Sequence, residues 1–147
     1  MIPQAVQERL YPYGVRSFWY KDSAIAALVS SDSLRPEAIR EAEQVVADLI
    51  AQSPDPHNAY ILFHLQKLNA LSPKLRHSAQ GIINSLPPGV TLYGALLVDN
   101  SLVANLLNVF SATLRRQSGG RYHNRLFKDE AEAFAWLQAQ RTQTAST

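Results

Sequence analysis

Apolar runs of strand length alternate with amphipathic helical patterns along most of the chain. The most informative run lies in residues 58–75, where apolar residues start at Ala59 and are first interrupted at His64, ahead of the Ser72-Pro73 turn. An apolar run that stops at a polar turn and passes into a helical pattern is typical of a strand buried on both faces. We therefore predict the central strand of an α/β sheet here. Ligand or partner sites are expected where its carboxyl end enters the helix.

Further segments have the patterns of strands. Residues 15–21 are rich in β-branched and aromatic residues, and together with residues 23–30 they predict a hairpin. Residues 90–98 form a second apolar run and predict another buried strand. Residues 121–127 carry alternating polar residues, which favours a short strand at the edge of the sheet.

Helical patterns follow each of the later strands. Residues suited to capping mark the four helix starts, and they are Ser31, Asp32 and Ser33, then Ser72, then Asp99, Asn100 and Ser101, and last Asp129 with Glu132. The order β-β-α-β-α-β-α-β-α predicts one α/β domain over residues 14–140, with a mixed, mostly parallel sheet and four helices. Residues 1–13 are expected to pack on the domain, and residues 141–147 to form a disordered tail.

The third predicted helix has a wider apolar side than one sheet face requires. Its apolar residues are Leu102, Val103, Leu106, Leu107, Val109, Phe110 and Leu114. At about 100° per residue they cover an arc of roughly 160°. Either the helix is deeply buried, which is the favoured interpretation because broad apolar arcs are common in cores, or part of the arc contacts another chain.

Length and composition indicate an ordinary globular protein. A chain of 147 residues has the size of one domain. The absence of cysteine excludes disulfides, thiolate catalysis and cysteine zinc sites, and it fits a reducing compartment. The first residues lack the apolar core of a signal peptide, and no apolar run approaches the roughly 20 residues that span a bilayer. We expect a cytoplasmic protein that does not contact a membrane.

The net charge of +2 is too small to indicate nucleic acid, but the charges are unevenly placed. Residues 32–48 carry five acids against two arginines, whereas residues 115–128 carry five cations and no acid. Such asymmetry can steer a charged partner, but two ordinary solvated faces are the favoured interpretation. A candidate anion site within the basic segment consists of Arg115, Arg116, Arg121 and Arg125. No RNA-binding motif accompanies these cations, so nucleic-acid binding is not expected.

Motifs for the common chemistries are missing. The glycines never form a dinucleotide or phosphate-binding loop, and there is no nucleophile elbow. The four histidines have no metal-ligand spacing. Asp99 follows a buried strand, where catalytic acids occur, but it also precedes a helix and is better explained as a cap. We therefore expect a protein without enzymatic activity, metal or cofactor.

Ser72 is the sharpest single candidate for modification. It lies at a predicted helix start, where a phosphate would gain from the helix dipole and from free backbone amides. The simpler interpretation is that Ser72 is a cap and Pro73 a first-turn proline. The chain leaves both interpretations open, and Ser72 is kept as a candidate phosphoacceptor.

The element order, the stretch ILFHLQKLNALSPKL (residues 61–75) and the ending NRLFKDEAEAFAWL (residues 124–137) resemble the STAS superfamily, the anti-sigma factor antagonist fold. The closest likeness is to its divergent branch of small, uncharacterised bacterial proteins. The resemblance implies a regulatory module that docks a partner at the strand–helix corner, which is residues 69–76 in this chain. The phosphorylated serine of such modules follows an aspartate. In this chain His64 stands at the strand aspartate position, Ser72 at the second aspartate position and Pro73 at the phosphoacceptor position.

Two functions remain open from the sequence. The favoured one is a non-enzymatic interaction or regulatory module that binds a protein partner or itself. Its expected surface consists of Asn69, Ser72, Lys74, Arg76, Leu102, Val109 and Arg116. The alternative is a module that binds a small apolar or anionic ligand. A pocket lined by Leu106, Phe110 and Trp136 with the arginines at its mouth would favour the ligand, and an exposed apolar patch would favour the partner.

Overall fold

The computed structural model describes residues 2–30, 35–66, 68 and 70–145, and it places them in one sheet flanked by four helices. The strands are β1 (Ala5–Leu10), β2 (Arg16–Tyr20), β3 (Ile25–Val29), β4 (Asn58–His64), β5 (Thr91–Leu97) and β6 (Tyr122–Phe127). The helices are α1 (Pro36–Ala51), α2 (Pro73–Asn84), α3 (Ser101–Gln117) and α4 (Glu130–Ala145). The predicted α/β class and the mixed sheet with four helices are confirmed.

The sheet is six-stranded, and its strands lie side by side in chain order. β1, β2 and β3 form an antiparallel meander, whereas β3, β4, β5 and β6 are parallel. Each parallel connection moves one strand further in the same direction, so right-handed crossovers place α1, α2 and α3 on the same face. α4 follows the last strand and packs on the opposite face. β4 lies inside the sheet between β3 and β5, as predicted.

Each face of the sheet has its own core. The core on the α1–α3 face joins strand residues such as Ile61 and Leu92 to Val46 of α1 and Leu114 of α3. The core on the α4 face consists of Phe18, Tyr20, Ile25, Ala27, Tyr60, Leu62, Ala95, Leu97, Ala133, Phe134 and Leu137. Alternation of side chains along the strands assigns neighbouring residues to opposite cores.

The first strand was not predicted. β1 is an edge strand whose last four residues are exposed, so it has no alternation of apolar and polar positions that a sequence could show. Its pairing with β2 also shifts register between Val6 and Arg9, and Gln7 between them has a φ of 56°. A bulge of this kind interrupts the two-residue repeat by which strands are recognised.

The helix starts agree with the sequence at three of four places. The amide of Leu75 donates to Oγ of Ser72 over 3.2 Å, and the amide of Glu132 donates to Oδ2 of Asp129 over 3.0 Å. Asn100 caps α3, because its Oδ1 accepts from the amide of Leu102 over 2.9 Å. The assignment of Asp99 as this cap is wrong, since Oδ1 of Asp99 accepts instead from the side chain of Gln66.

The first and last helices differ from the predictions at their ends. Arg35 occupies the N-cap position of α1 and makes no capping bond with its side chain. The predicted caps Ser31, Asp32 and Ser33 lie outside the described residues. α4 continues through Ala145, beyond the predicted end at Gln140. Within the described part of the chain, every helix is too short or too polar to cross a bilayer.

Candidate functional site

A stripe of apolar side chains lies exposed along α3. Leu102, Leu106 and Val109 are 66%, 45% and 75% exposed, and their spacing places them on one side of the helix. Val103 and Leu107, on the inner side, are buried. The favoured interpretation of the apolar arc, deep burial, is therefore wrong, because the sheet covers only part of it. We call Leu102, Leu106 and Val109 the α3 stripe.

The chain segment that follows β4 packs against the buried side of α3. Leu65, Leu68 and Leu71 are partly buried and pack with Val103 and Leu107 in one cluster. The segment is anchored to the sheet where the amide of Leu65 donates to the carbonyl of Leu97 over 2.9 Å. The strand–helix corner and the amino-terminal half of α3 are therefore one continuous region, as a shared partner surface requires.

The predicted partner-surface residues lie on α2 and α3. Lys74 and Arg76 are exposed in the first turn of α2, and Ser72 before them is partly buried. Arg116 is exposed in the last turn of α3. Asn69 lies outside the described residues. The two helices are neighbours, and they are tied at their carboxyl ends by a hydrogen bond of 2.7 Å that Nε2 of Gln117 donates to Oδ1 of Asn84.

The charge around the α3 stripe is positive. Between residues 56 and 128, which include α2, α3 and β6, the sequence has one acid, Asp99. The same range has eight cations, which are Lys67, Lys74, Arg76, Arg115, Arg116, Arg121, Arg125 and Lys128. The acids are concentrated in α1 and at the start of α4. Of these cations, Lys74, Arg76, Arg115 and Arg116 are exposed on α2 and α3, so an acidic molecule would be attracted to these two helices.

The four arginines of the predicted anion site do not converge. Nη1 of Arg121 donates to the carbonyls of Pro87 and Val90 over 3.0 and 3.2 Å, so this side chain closes the turn before β5. Arg125 lies on the α4 face, where its guanidinium carbon is 5.6 Å from the centre of the Phe127 ring. Arg115 and Arg116 belong to α3 on the other face. A single anion cannot contact all four.

The three residues whose convergence would favour a ligand pocket do not line one together. Phe110 on α3 and Trp136 on α4 belong to opposite faces of the sheet, so they cannot line the same pocket. Leu106 is exposed as part of the α3 stripe. Phe110 instead borders a cavity beneath α2, which the sequence did not predict.

The structure also contains a polar cluster on the α4 face that the sequence did not predict. The hydroxyl of Tyr20 donates to Oε2 of Glu130 over 2.8 Å, and Nε2 of His64 lies 3.4 Å from that hydroxyl and 3.6 Å from the same carboxylate oxygen. Tyr20 ends β2, His64 ends β4 and Glu130 opens α4. The cluster therefore joins two strands to the first turn of α4.

Burial sets the protonation of this cluster. Burial, followed by the hydrogen bond to Glu130, raises the pKa of Tyr20 far above its usual value, so the phenol stays protonated. Burial lowers the pKa of His64, and this effect exceeds the opposing one of the Glu130 carboxylate. A neutral imidazole and a neutral phenol beside one carboxylate form a fixed hydrogen-bonded link, which holds α4 to the sheet.

Neither a metal centre nor a known relative identifies the function. The described residues contain no group of three or more histidine, aspartate or glutamate side chains placed to hold a metal ion. The chain matches no protein-family model, and no curated protein or solved structure matches it either. The functional interpretation therefore rests on the surface and the interior of this chain.

Proposed function

We propose that this chain is a non-enzymatic interaction module of STAS-like organisation, which binds an acidic protein partner through α3. The observation that carries the proposal is the exposure of Leu102, Leu106 and Val109 on one side of the helix. Contiguous exposed apolar surface is unfavourable in water and often marks an interaction site. The resemblance of residues 61–75 to STAS proteins implies docking at the same strand–helix corner.

The spacing of the α3 stripe indicates the shape of the partner. Leu102, Leu106 and Val109 follow the i, i+4, i+7 pattern of helix anchors. A second amphipathic helix laid along α3 would cover these three side chains with its own apolar face. We therefore propose a helix as the contacting element of the partner.

The charge around the stripe indicates the sign of the partner. The exposed cations of α2 and α3 lie on the two helices of the proposed surface, and Asp99 is the one acid between residues 56 and 128 of the sequence. A helix with Asp or Glu beside its apolar face would gain attraction from Lys74, Arg76 and Arg116. A second copy of this chain would bring two surfaces of the same sign together, so an acidic protein fits better than a homodimer.

The test compares two exposed apolar residues. Val109 of the α3 stripe and Leu10 of β1 are both 75% exposed, so Val109→Ser and Leu10→Ser remove similar apolar surface at different places. A photo-crosslinking amino acid at position 105, beside the stripe, reports what touches α3 in a lysate of the native cell. We expect a crosslinked acidic protein with the unaltered surface and with Leu10→Ser, but not with Val109→Ser.

Further measurements separate the alternatives. The captured protein, once purified, is expected to bind less tightly at high salt and to the double variant Arg115→Glu, Arg116→Glu. Equal capture by the Val109→Ser and Leu10→Ser variants, or no capture at all, would contradict the proposal. A dimer detected by light scattering, and dissociated by Val109→Ser, would show that the stripe binds a second copy instead.

A further inference from the structure

An apolar cavity of about 180 Å³ lies between the sheet and the helices α1, α2 and α3. Leu28, Phe63 and Leu96 of the sheet form its floor, and Leu75, Ala79 and Phe110 are among the helix residues above it. The chain segment after β4, which packs under α3, also contributes to the wall through Leu65 and Leu71. The cavity is partly open to solvent, and it adjoins the region that forms the strand–helix corner.

The position of α2 explains why this space is not filled. α2 packs mainly on α1 and α3, whereas α1 and α3 also pack closely on strands. Leu75, Ala79 and Ile82 of α2 border the cavity and are only partly buried. Protein interiors are normally packed to the density of organic crystals, so apolar side chains around a space of this size lack the contacts that a core supplies. A ligand could supply them.

A small polar group faces this apolar space. Nδ2 of Asn124 donates to Oγ of Ser111 over 2.7 Å and to the hydroxyl of Tyr122 over 2.9 Å. All three residues border the cavity. Both bonds use the amide nitrogen, which leaves the amide oxygen of Asn124 able to accept a hydrogen bond. Burial raises the pKa of Tyr122, which keeps its hydroxyl protonated and able to donate.

We propose that this cavity binds a small, neutral and mainly apolar molecule, about the size of a substituted benzene, with one oxygen that hydrogen-bonds to Asn124. An engineered cavity of about 150 Å³ in another protein stays dry and binds benzene, so a space of 180 Å³ accepts a slightly larger ring. No charged side chain among the described residues borders the cavity, and an ion would lose its hydration there without compensation. The cavity shares part of its wall with the strand–helix corner, but the side chains of the α3 stripe do not border it.

Two probes test the apolar and polar parts separately. Toluene and p-cresol have nearly the same shape, but p-cresol adds one hydroxyl. Titration followed by methyl and amide NMR spectra of the full chain is expected to show both bound. We expect p-cresol to bind about 2- to 10-fold more tightly, the factor that one hydrogen bond typically contributes. Intermolecular NOEs are expected between the probe and Leu75 and Phe110.

Matched variants locate the binding. Ala79→Leu adds volume inside the cavity and is expected to abolish binding of both probes, whereas Ala112→Leu on the exposed side of α3 leaves binding unchanged. Asn124→Leu has nearly the same volume without the amide. This variant is expected to keep toluene binding and to lose the preference for p-cresol.

Specific results would overturn the inference. Failure of both probes to bind the unaltered protein at millimolar concentration would exclude the site. NOEs confined to Leu106 and Val109 would show adsorption on the α3 stripe, and this result stands even if Ala79→Leu does not fold. Equal p-cresol preference in Asn124→Leu would exclude the polar contact. Val109→Ser is expected to bind both probes normally, so failure of the docking proposal leaves this inference untouched.

Discussion

The two faces of the sheet are packed to different degrees. On the α4 face, Ala133, Phe134 and Leu137 are buried against the strands, and the Tyr20–Glu130 hydrogen bond ties the first turn of the helix to the sheet. On the other face α2 covers a cavity, and α3 exposes three large apolar side chains. The same sheet therefore carries one tight layer and one loose layer.

The difference separates stability from function. A tightly packed helix with fixed hydrogen bonds contributes to the free energy of folding, but it offers neither free surface nor space to a second molecule. The α1–α3 face is less completely packed. Its exposed apolar stripe and its apolar cavity do not contribute to the stability of the fold. Departures from complete packing are expected at functional sites, since such sites are completed by a partner or a ligand.

The largest expected effect is on the free energy of unfolding, and one substitution on each face tests the difference in packing. Leu137→Ala in α4 removes a fully buried side chain and leaves a cavity, so we expect it to lower the free energy of unfolding by about 3–5 kcal/mol. Leu75→Ala in α2 removes a partly buried side chain beside an existing cavity, so we expect a loss of about 1 kcal/mol. Urea unfolding followed by circular dichroism measures both. Equal losses would mean that the two faces contribute equally to stability.

A smaller effect is expected at the start of α2. Oγ of Ser72 accepts from the amide of Leu75, so Ser72→Ala removes a cap and is expected to cost about 1 kcal/mol. Ser72→Asp keeps an acceptor and places a negative charge at the helix start, so it is expected to preserve the stability of the unaltered chain. Urea unfolding of both variants measures the difference. If Ser72→Asp proved as unstable as Ser72→Ala, a phosphate on Ser72 would not be accommodated at this helix start either.

The architecture was predictable because the inner elements repeat strong local patterns. β4 and β5 are buried on both faces and read as continuous apolar runs, and Ser72 and Asn100 cap the helices that follow them. β1 could not be found in the same way, since an exposed edge strand with a bulge has no regular alternation. Predictability therefore decreases from the centre of the sheet to its edge.

The candidate sites were less predictable, for a different reason. Periodicity shows that α3 has a broad apolar arc, but the exposure of Leu102 and Val109 depends on how far the sheet extends beneath the helix. The apolar pattern of α2 would be the same over a filled core as over a cavity. The contact between Tyr20 and Glu130 joins residues 110 positions apart, and no local signal in the sequence reports such a pair.

The smallest expected effect is a change in the pH dependence of the unfolding free energy. This measurement concerns only the closely packed α4 face. Burial holds the pKa of His64 in the folded protein below 6.5, whereas an unfolded histidine has a pKa of about 6.5. At a pH between the folded and unfolded pKa values of His64, the unfolded chain binds more protons than the folded protein. The stability contributed by neutral His64 is therefore complete above about pH 6.5, and it is lost as the pH falls toward the folded pKa. Because His64→Gln does not titrate, we expect its unfolding free energy to fall less steeply than that of the unaltered chain between about pH 6.5 and pH 5.

A histidine on the loose face provides the control for this measurement. His77 is exposed on α2, and His77→Gln measured in the same way shows how much of any change comes from replacing a histidine by glutamine elsewhere in the chain. A His64→Gln curve parallel to that of the unaltered chain over the whole range would mean that the cluster with Tyr20 and Glu130 does not hold the imidazole neutral. A reduced slope for His64→Gln alone would place the acid sensitivity of the fold at the junction between β4 and α4.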